Sequence, residues 1–173
     1  MQADNPRLLV LTRPGVKPRW RKRADRGRLV AMTQPPALIG TLETALYARD
    51  LDRAAAFWTG IIGLPQIAHQ PGRHVFFRCG AQVLLVFDPQ ATRRPPAPDA
   101  RLPVPPHGTE GAGHFCIAVA PGTMDPWRAH LEANGVTIEA DFTWPQGGRS
   151  IYFRDPAGNS IELADPRIWG LPA

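Results

Sequence analysis

Three side chains able to hold a metal ion, Glu43, His114 and Glu162, fall at corresponding strand positions of a chain that reads as one module repeated. The fourth equivalent position on this alignment is Leu84, which carries no donor atom. One imidazole with two carboxylates suits a divalent first-row cation such as Mn²⁺, Fe²⁺, Co²⁺, Ni²⁺ or Zn²⁺. Three protein ligands also leave coordination positions for water and substrate. Taken singly, each residue has an ordinary reading: Glu43 as a solvated strand-end carboxylate, His114 as a satisfied core histidine, Glu162 as a sheet-edge residue. Their joint placement at related positions is what favours a metal site.

The elements that must position these residues follow from periodicity and turn chemistry. Leu42 to Tyr47 suits a strand, and Asp50 caps a helix whose apolar residues Leu51, Ala54, Ala55, Phe57, Trp58, Ile61 and Ile62 recur at helical spacing, with Gly63 ending it. Strands are predicted over 66–69, 74–79 and 82–87. The same order returns as a strand over 114–119, a helix over 124–134 closed by Gly135, and strands over 136–142, 149–154 and 160–164. Val75-Phe76-Phe77-Arg78 matches Ile151-Tyr152-Phe153-Arg154. Aligning Gln82-Val83-Leu84-Leu85 with Ser160-Ile161-Glu162-Leu163 then gives a hairpin two residues longer in the second copy. Between the copies, residues 88–112 form a linker. Its seven prolines between Pro89 and Pro106 exclude a helix or central strand and favour an extended path.

Side chains of matching strand parity should line the cleft between the copies. That set holds Ala45, Tyr47, Cys116 and Ser160, together with Ser150, Tyr152 and Arg154 and their counterparts His74, Phe76 and Arg78. His74 is the one titratable base placed opposite the second copy, with an exposed strand-end histidine as its ordinary reading. Arg78 and Arg154 could hold a carboxylate or phosphonate, or form surface ion pairs. His107 and Trp144-Pro145 are loop residues near enough to cover the cleft.

Composition narrows the class. The chain has 173 residues with 43% hydrophobic and 20% charged, and no apolar run long enough for a membrane span. Two cysteines without C-x-x-C spacing exclude a zinc ribbon and a disulfide framework, and read as reduced thiols in the cytoplasm. The net charge of +5 comes from the front: residues 1–31 carry nine Lys and Arg against two Asp, and the remainder is mildly acidic. The basic pI thus describes an N-terminal extension, 1–40, expected to be disordered, rather than a nucleic-acid surface. Met32 opens a segment that reads as an ordinary protein start, so residues 1–31 are a candidate start-site artefact.

Several of these residues resemble a known family. The repeat order, Ala48-Arg49-Asp50-Leu51 with Phe57-Trp58, Gly113-His114-Phe115, and the segment from Ser150 through Arg154-Asp155-Pro156-Ala157-Gly158-Asn159 to Glu162-Leu163 are similar to the vicinal oxygen chelate (VOC) superfamily of glyoxalases, bleomycin-resistance proteins and extradiol dioxygenases. The resemblance covers residues 41–165 as modules 41–87 and 113–165, leaving 166–173 as a C-terminal tail. It implies an α+β fold of two tandem βαβββ modules forming a partly open, barrel-like mixed sheet with a central cleft. It further implies one divalent metal on Glu43, His114 and Glu162. Tyr152 and His74 become candidate catalytic residues, and Phe76, Arg78, Ser150 and Arg154 candidate substrate contacts. A small-molecule substrate and a homodimer are the expected partners. Members with glyoxalase I activity carry a carboxylate where this alignment puts Leu84, so that activity is not expected. The rival reading is a metal-free, drug-sequestering protein of the bleomycin-resistance type.

Overall fold

The computed structural model describes residues 35–172, and those from Ile39 onward form a compact unit. The basic segment 1–31 and its alternative start lie outside the described residues. The first module runs β1 (Glu43–Tyr47), α1 (Leu51–Gly60), β2 (Gln66–Gln70), β3 (His74–Cys79) and β4 (Gln82–Phe87). A short helix α2 (Pro89–Thr92) opens the linker. The second module runs β5 (His114–Ala118), α3 (Met124–Ala133), β6 (Ile138–Thr143), β7 (Arg149–Arg154) and β8 (Ser160–Ala164), followed by a 3₁₀ turn over Pro166–Trp169. Sheet orders are β1-β4-β3-β2 and β5-β8-β7-β6, the first pair in each being parallel and the rest antiparallel. The twin βαβββ, α+β architecture is the one the sequence implies. The two sheets stay separate four-stranded layers rather than hydrogen-bonding into one barrel. No helix among the described residues is long and apolar enough to cross a membrane.

Local chemistry sets the boundaries. The Asp50 carboxylate accepts the Arg53 N–H at 2.9 Å and caps α1, and Gly135, at φ +72°, closes α3. The linker departs from the extended path expected of it. Asp88 caps α2 through the N–H groups of Gln90 and Ala91, and Pro89 takes the first helical position, where its missing donor would have had no partner.

Helix α1 decides how the modules meet. Trp58 has no solvent exposure, and its ring lies 6.4 Å from Phe77 of the first sheet and 6.2 Å from Phe115 of the second; Phe57 lies 6.4 Å from Phe153. One continuous core therefore contains Phe77, Leu84 and Val86 along with Ile151, Phe153 and Ile161. Burying each of these large side chains contributes about 1.5–3 kcal/mol relative to exposure. Because strand side chains alternate, Phe76, Leu85 and Phe87 on one sheet, and Tyr152 and Glu162 on the other, turn away from that core.

Candidate metal centre

The parallel pairing of β5 with β8 sets His114 opposite Ser160 and Cys116 opposite Glu162, while β7 sets Tyr152 opposite Glu162. All share the face that turns from the core. The Glu162 side chain is only 7% exposed, a costly place for a carboxylate unless it is hydrogen-bonded. Its Oε1 accepts the Ser150 hydroxyl at 2.6 Å, and Ser150 in turn accepts the Trp144 indole N–H at 2.9 Å. Its Oε2 lies 3.3 Å from His114 Nε2. His114 Nδ1 lies 3.2 Å from the Ser160 carbonyl, which can only accept, so this bond puts the ring proton on Nδ1. Nε2 is left facing the carboxylate. Either a proton on Nε2 or a cation between the two groups satisfies this pair, and an imidazole whose second nitrogen is anchored by a carbonyl is the usual form of a metal ligand. The donor set present fits a divalent ion.

Tyr152 stands beside the pair, its ring 6.2 Å from His114 on one side and 5.9 Å from Phe142 on the other. Burial and the adjacent Glu162 push its phenol up to about 12. The same two causes push the Cys116 thiol up to about 12. Both groups are therefore neutral donors near neutral pH rather than bases or thiolate ligands.

The hairpin between β7 and β8 fixes the pair. Asp155 Oδ1 accepts the N–H groups of Ala157 and Asn159, each at 2.9 Å. Asn159 is 1% exposed; its Oδ1 accepts the Gly113 N–H at 2.8 Å, and its Nδ2 donates to the Tyr47 carbonyl at 3.2 Å and to Asp155 Oδ2 at 2.9 Å. One side chain thus joins the hairpin that leads to Glu162, the start of the His114 strand, and the end of β1. A Cβ at Gly113 would lie 3.1 Å from both Asn159 Oδ1 and Leu46 Cδ2, so a side chain there would have to push one of them aside by a few tenths of an ångström. Asn159 was visible in the sequence only as turn chemistry, and its bridging role depends on contacts far apart in the chain.

Glu43 is not brought to this pair within one chain. It is exposed at the start of β1, while the strand's other end, at Leu46 and Tyr47, meets Gly113 and Asn159. At about 3.3 Å per residue the separation along β1 is on the order of 10–13 Å. Among the described residues no group of three or more His, Cys, Asp or Glu side chains could hold an ion. His74 and Phe76 lie on the outer face of the first sheet, their rings stacked at 4.1 Å. Arg78 is exposed and pairs with Val83, the residue that also pairs with Glu43, so it stands level with Glu43. Arg154 donates to Glu139 at 2.9 Å and to the Gly158 carbonyl at 3.2 Å, which braces the hairpin. Ser150 is fully buried behind Glu162.

Leu84 is not the counterpart of Glu162. Phe76 pairs with Leu85 as Tyr152 pairs with Glu162, so the second hairpin is one residue longer than the first, not two. Leu84 pairs with Phe77, points into the core and has no exposure. The counterpart is Leu85, aliphatic as well, on the outer face.

A family model described as the Glyoxalase/Bleomycin resistance protein/Dioxygenase superfamily matches residues 40–163. Among solved structures, the chain is similar to a lactoylglutathione lyase from Agrobacterium tumefaciens at 45% identity and TM-score 0.72, covering 80% of this chain and 100% of that one. Glutathione transferase FosA of Serratia marcescens is 32% identical over 122 residues, 68% of this chain and 74% of that protein. A glyoxalase/bleomycin resistance protein/dioxygenase from Nocardioides shares the fold at 23% identity and TM-score 0.58, over 79% of this chain and 86% of that one.

Proposed function

Since the chain belongs to the glyoxalase/bleomycin resistance protein/dioxygenase superfamily, we propose that it is a divalent-metal-dependent enzyme that binds a small substrate through adjacent oxygens. The observation that carries this reading is Nε2 of His114 facing the buried Glu162 carboxylate at 3.3 Å while its Nδ1 is anchored on the Ser160 carbonyl. His114 and Glu162 would hold the ion, which when bound supplies Lewis acidity to polarise a substrate oxygen. Mn²⁺, Fe²⁺, Co²⁺, Ni²⁺ and Zn²⁺ all suit this donor set.

The chain's own residues supply orientation. Ser150 and Trp144 hold the carboxylate, the Ser160 carbonyl fixes the imidazole tautomer, and Tyr152, kept neutral, donates a hydrogen bond to a substrate oxygen beside the ion. The outer faces of both sheets turn away from the core that the two sheets share. On this reading a second copy lays its first sheet over the His114 face of the other, bringing Glu43 as third ligand and Phe76, Arg78 and His74 as the substrate-facing wall. The names of the Agrobacterium and Serratia relatives both concern glutathione, so thiol adducts of glutathione are the first substrates to screen.

The test is complementation between copies. Glu43→Ala and His114→Ala proteins, each purified and titrated with Mn²⁺, should bind weakly, and subunit exchange between them should restore tight binding at one site per mixed pair. A mixture that binds no better than its parents would overturn the two-chain site. Wild-type protein that takes up no divalent ion would overturn the metalloenzyme reading.

A further inference from the structure

The outer face of the first sheet carries a second feature, at the far end from Glu43, that shares only His74 with the wall proposed for the metal site. The proline linker folds back over the end of β3, where His107 Nδ1 meets the Tyr47 hydroxyl at 3.0 Å and its ring packs edge-on against Phe87 at 4.7 Å. This fold-back leaves an open cavity of about 480 Å³ between β3 and the loop, within the range of small-molecule pockets. Its charged and titratable lining is Arg73, Arg94, His74 and His107, with no aspartate or glutamate.

Arg73 is half-buried and Arg94 exposed at this cavity, so both guanidinium groups are open to an anion. Arg73 makes one long hydrogen bond, to the Ala91 carbonyl at 3.4 Å, and neither Arg73 nor Arg94 pairs with a carboxylate among the described residues. The neighbouring Arg93 differs: it reaches Glu110 at 3.4 Å. His74 adds an independent sign. It lines the same cavity, and its Nδ1 is buried without a hydrogen-bond partner. His107, anchored through Nδ1, keeps Nε2 for a ligand. Gln70 and Thr92 add polar groups to the lining, and Pro96, Leu102 and Val104 give the loop side an apolar wall.

We propose that this cavity binds a small organic carboxylate, its head group on Arg73 and Arg94 within reach of His74 and His107, and its apolar body against Leu102 and Val104. Guanidinium groups match a carboxylate in shape and charge, and the apolar loop wall selects against a bare inorganic anion. The site needs neither His114 nor Glu162. Its register is nonetheless informative: His74 pairs with Phe87 and Glu43 with Val83, four residues along the same strand, so pocket and Glu43 mark opposite ends of one face.

Titration of the full chain with hexanoate, followed by amide and histidine ring NMR signals, tests the site. Saturable shifts at His74, Arg73, Arg94 and His107 are expected. Affinity should fall at least tenfold in the Arg73→Gln/Arg94→Gln double variant and stay unchanged in His114→Ala. Hexanol should not saturate the site, and inorganic phosphate should bind at least tenfold more weakly than hexanoate. Equal binding by the double variant, equal binding by phosphate, or no saturable shift would each overturn the assignment. Retention in His114→Ala separates this outcome from that of the metal site.

Discussion

Ser150 Oγ lies 2.6 Å from Glu162 Oε1, and Ser150 has no solvent exposure, so the carboxylate's orientation is set from behind by a residue that substrate does not reach. Ser150→Ala removes a hydrogen bond to a charged group, worth about 1.5–3 kcal/mol. Partners of this kind affect metal affinity by roughly 10–100-fold. Mn²⁺ titration calorimetry should show a weakening in that range, with a smaller loss in Trp144→Phe, which removes only the donor to Ser150. Unchanged affinity in Ser150→Ala would show that Glu162 needs no such support.

His114→Ala should abolish tight metal uptake altogether, because it removes the imidazole that faces Glu162. Plasma mass spectrometry of protein purified without chelator gives the answer directly, and metal content equal to wild type would rule His114 out as a ligand.

Asn159→Ala leaves the half-buried Gly113 N–H and Tyr47 carbonyl without their partner. The expected loss is about 2–3 kcal/mol, or roughly 5–10 °C in melting temperature for a domain of this size. A differential scanning measurement showing no loss would mean the β1 to β5 junction holds without this side chain.

Asp141 is held below the ordinary carboxylate range by hydrogen bonds from Arg149 and Arg128, against an opposing effect of burial. A depressed folded-state value means that the contribution is full above the unfolded value near 4 and is lost as pH falls through the folded one. Melting temperatures of wild type and Asp141→Asn should therefore differ by a few degrees at pH 7 and converge between about pH 5 and pH 2. A gap that stays constant through that window would show that the ion pairs carry no linkage.

Isomerisation of the methylglyoxal–glutathione hemithioacetal needs a base near the ion, a role typically worth 10²–10⁴-fold. Leu85, the counterpart of Glu162, cannot supply one, so wild-type turnover should be weak with Ni²⁺ or Zn²⁺ and should rise in Leu85→Glu. Leu84→Glu should instead fail to fold, since it puts a carboxylate into the core. Robust wild-type turnover would sink this prediction, and the name of the Agrobacterium relative makes the assay decisive.

The strands and both long helices were legible because alternation, helical spacing, Asp50 and Gly135 agree on their limits. His114 and Glu162 were legible as a pair because parity alone puts them on one face. Leu84 was misplaced because a one-residue difference in hairpin length flips every side chain of β4, and two adjacent leucines give no sign of which faces the core. The site of Glu43 was legible only as a strand position. Where its neighbours lie depends on α1 reaching both sheets, a long-range contact that local patterns do not encode. Arg154 shows the same limit, since parity gives its face but not its partner Glu139.

Trp58 touches Phe77 of one repeat and Phe115 of the other. The duplication visible in the sequence is therefore not a duplication in thermodynamics. A protease cut in the proline linker would break the chain without freeing either half, because each would have to expose an aromatic face that only its sibling covers. The nicked halves should migrate together under native conditions and come apart in the same transition that melts the intact chain, behaving as a split protein that has never lost its complement.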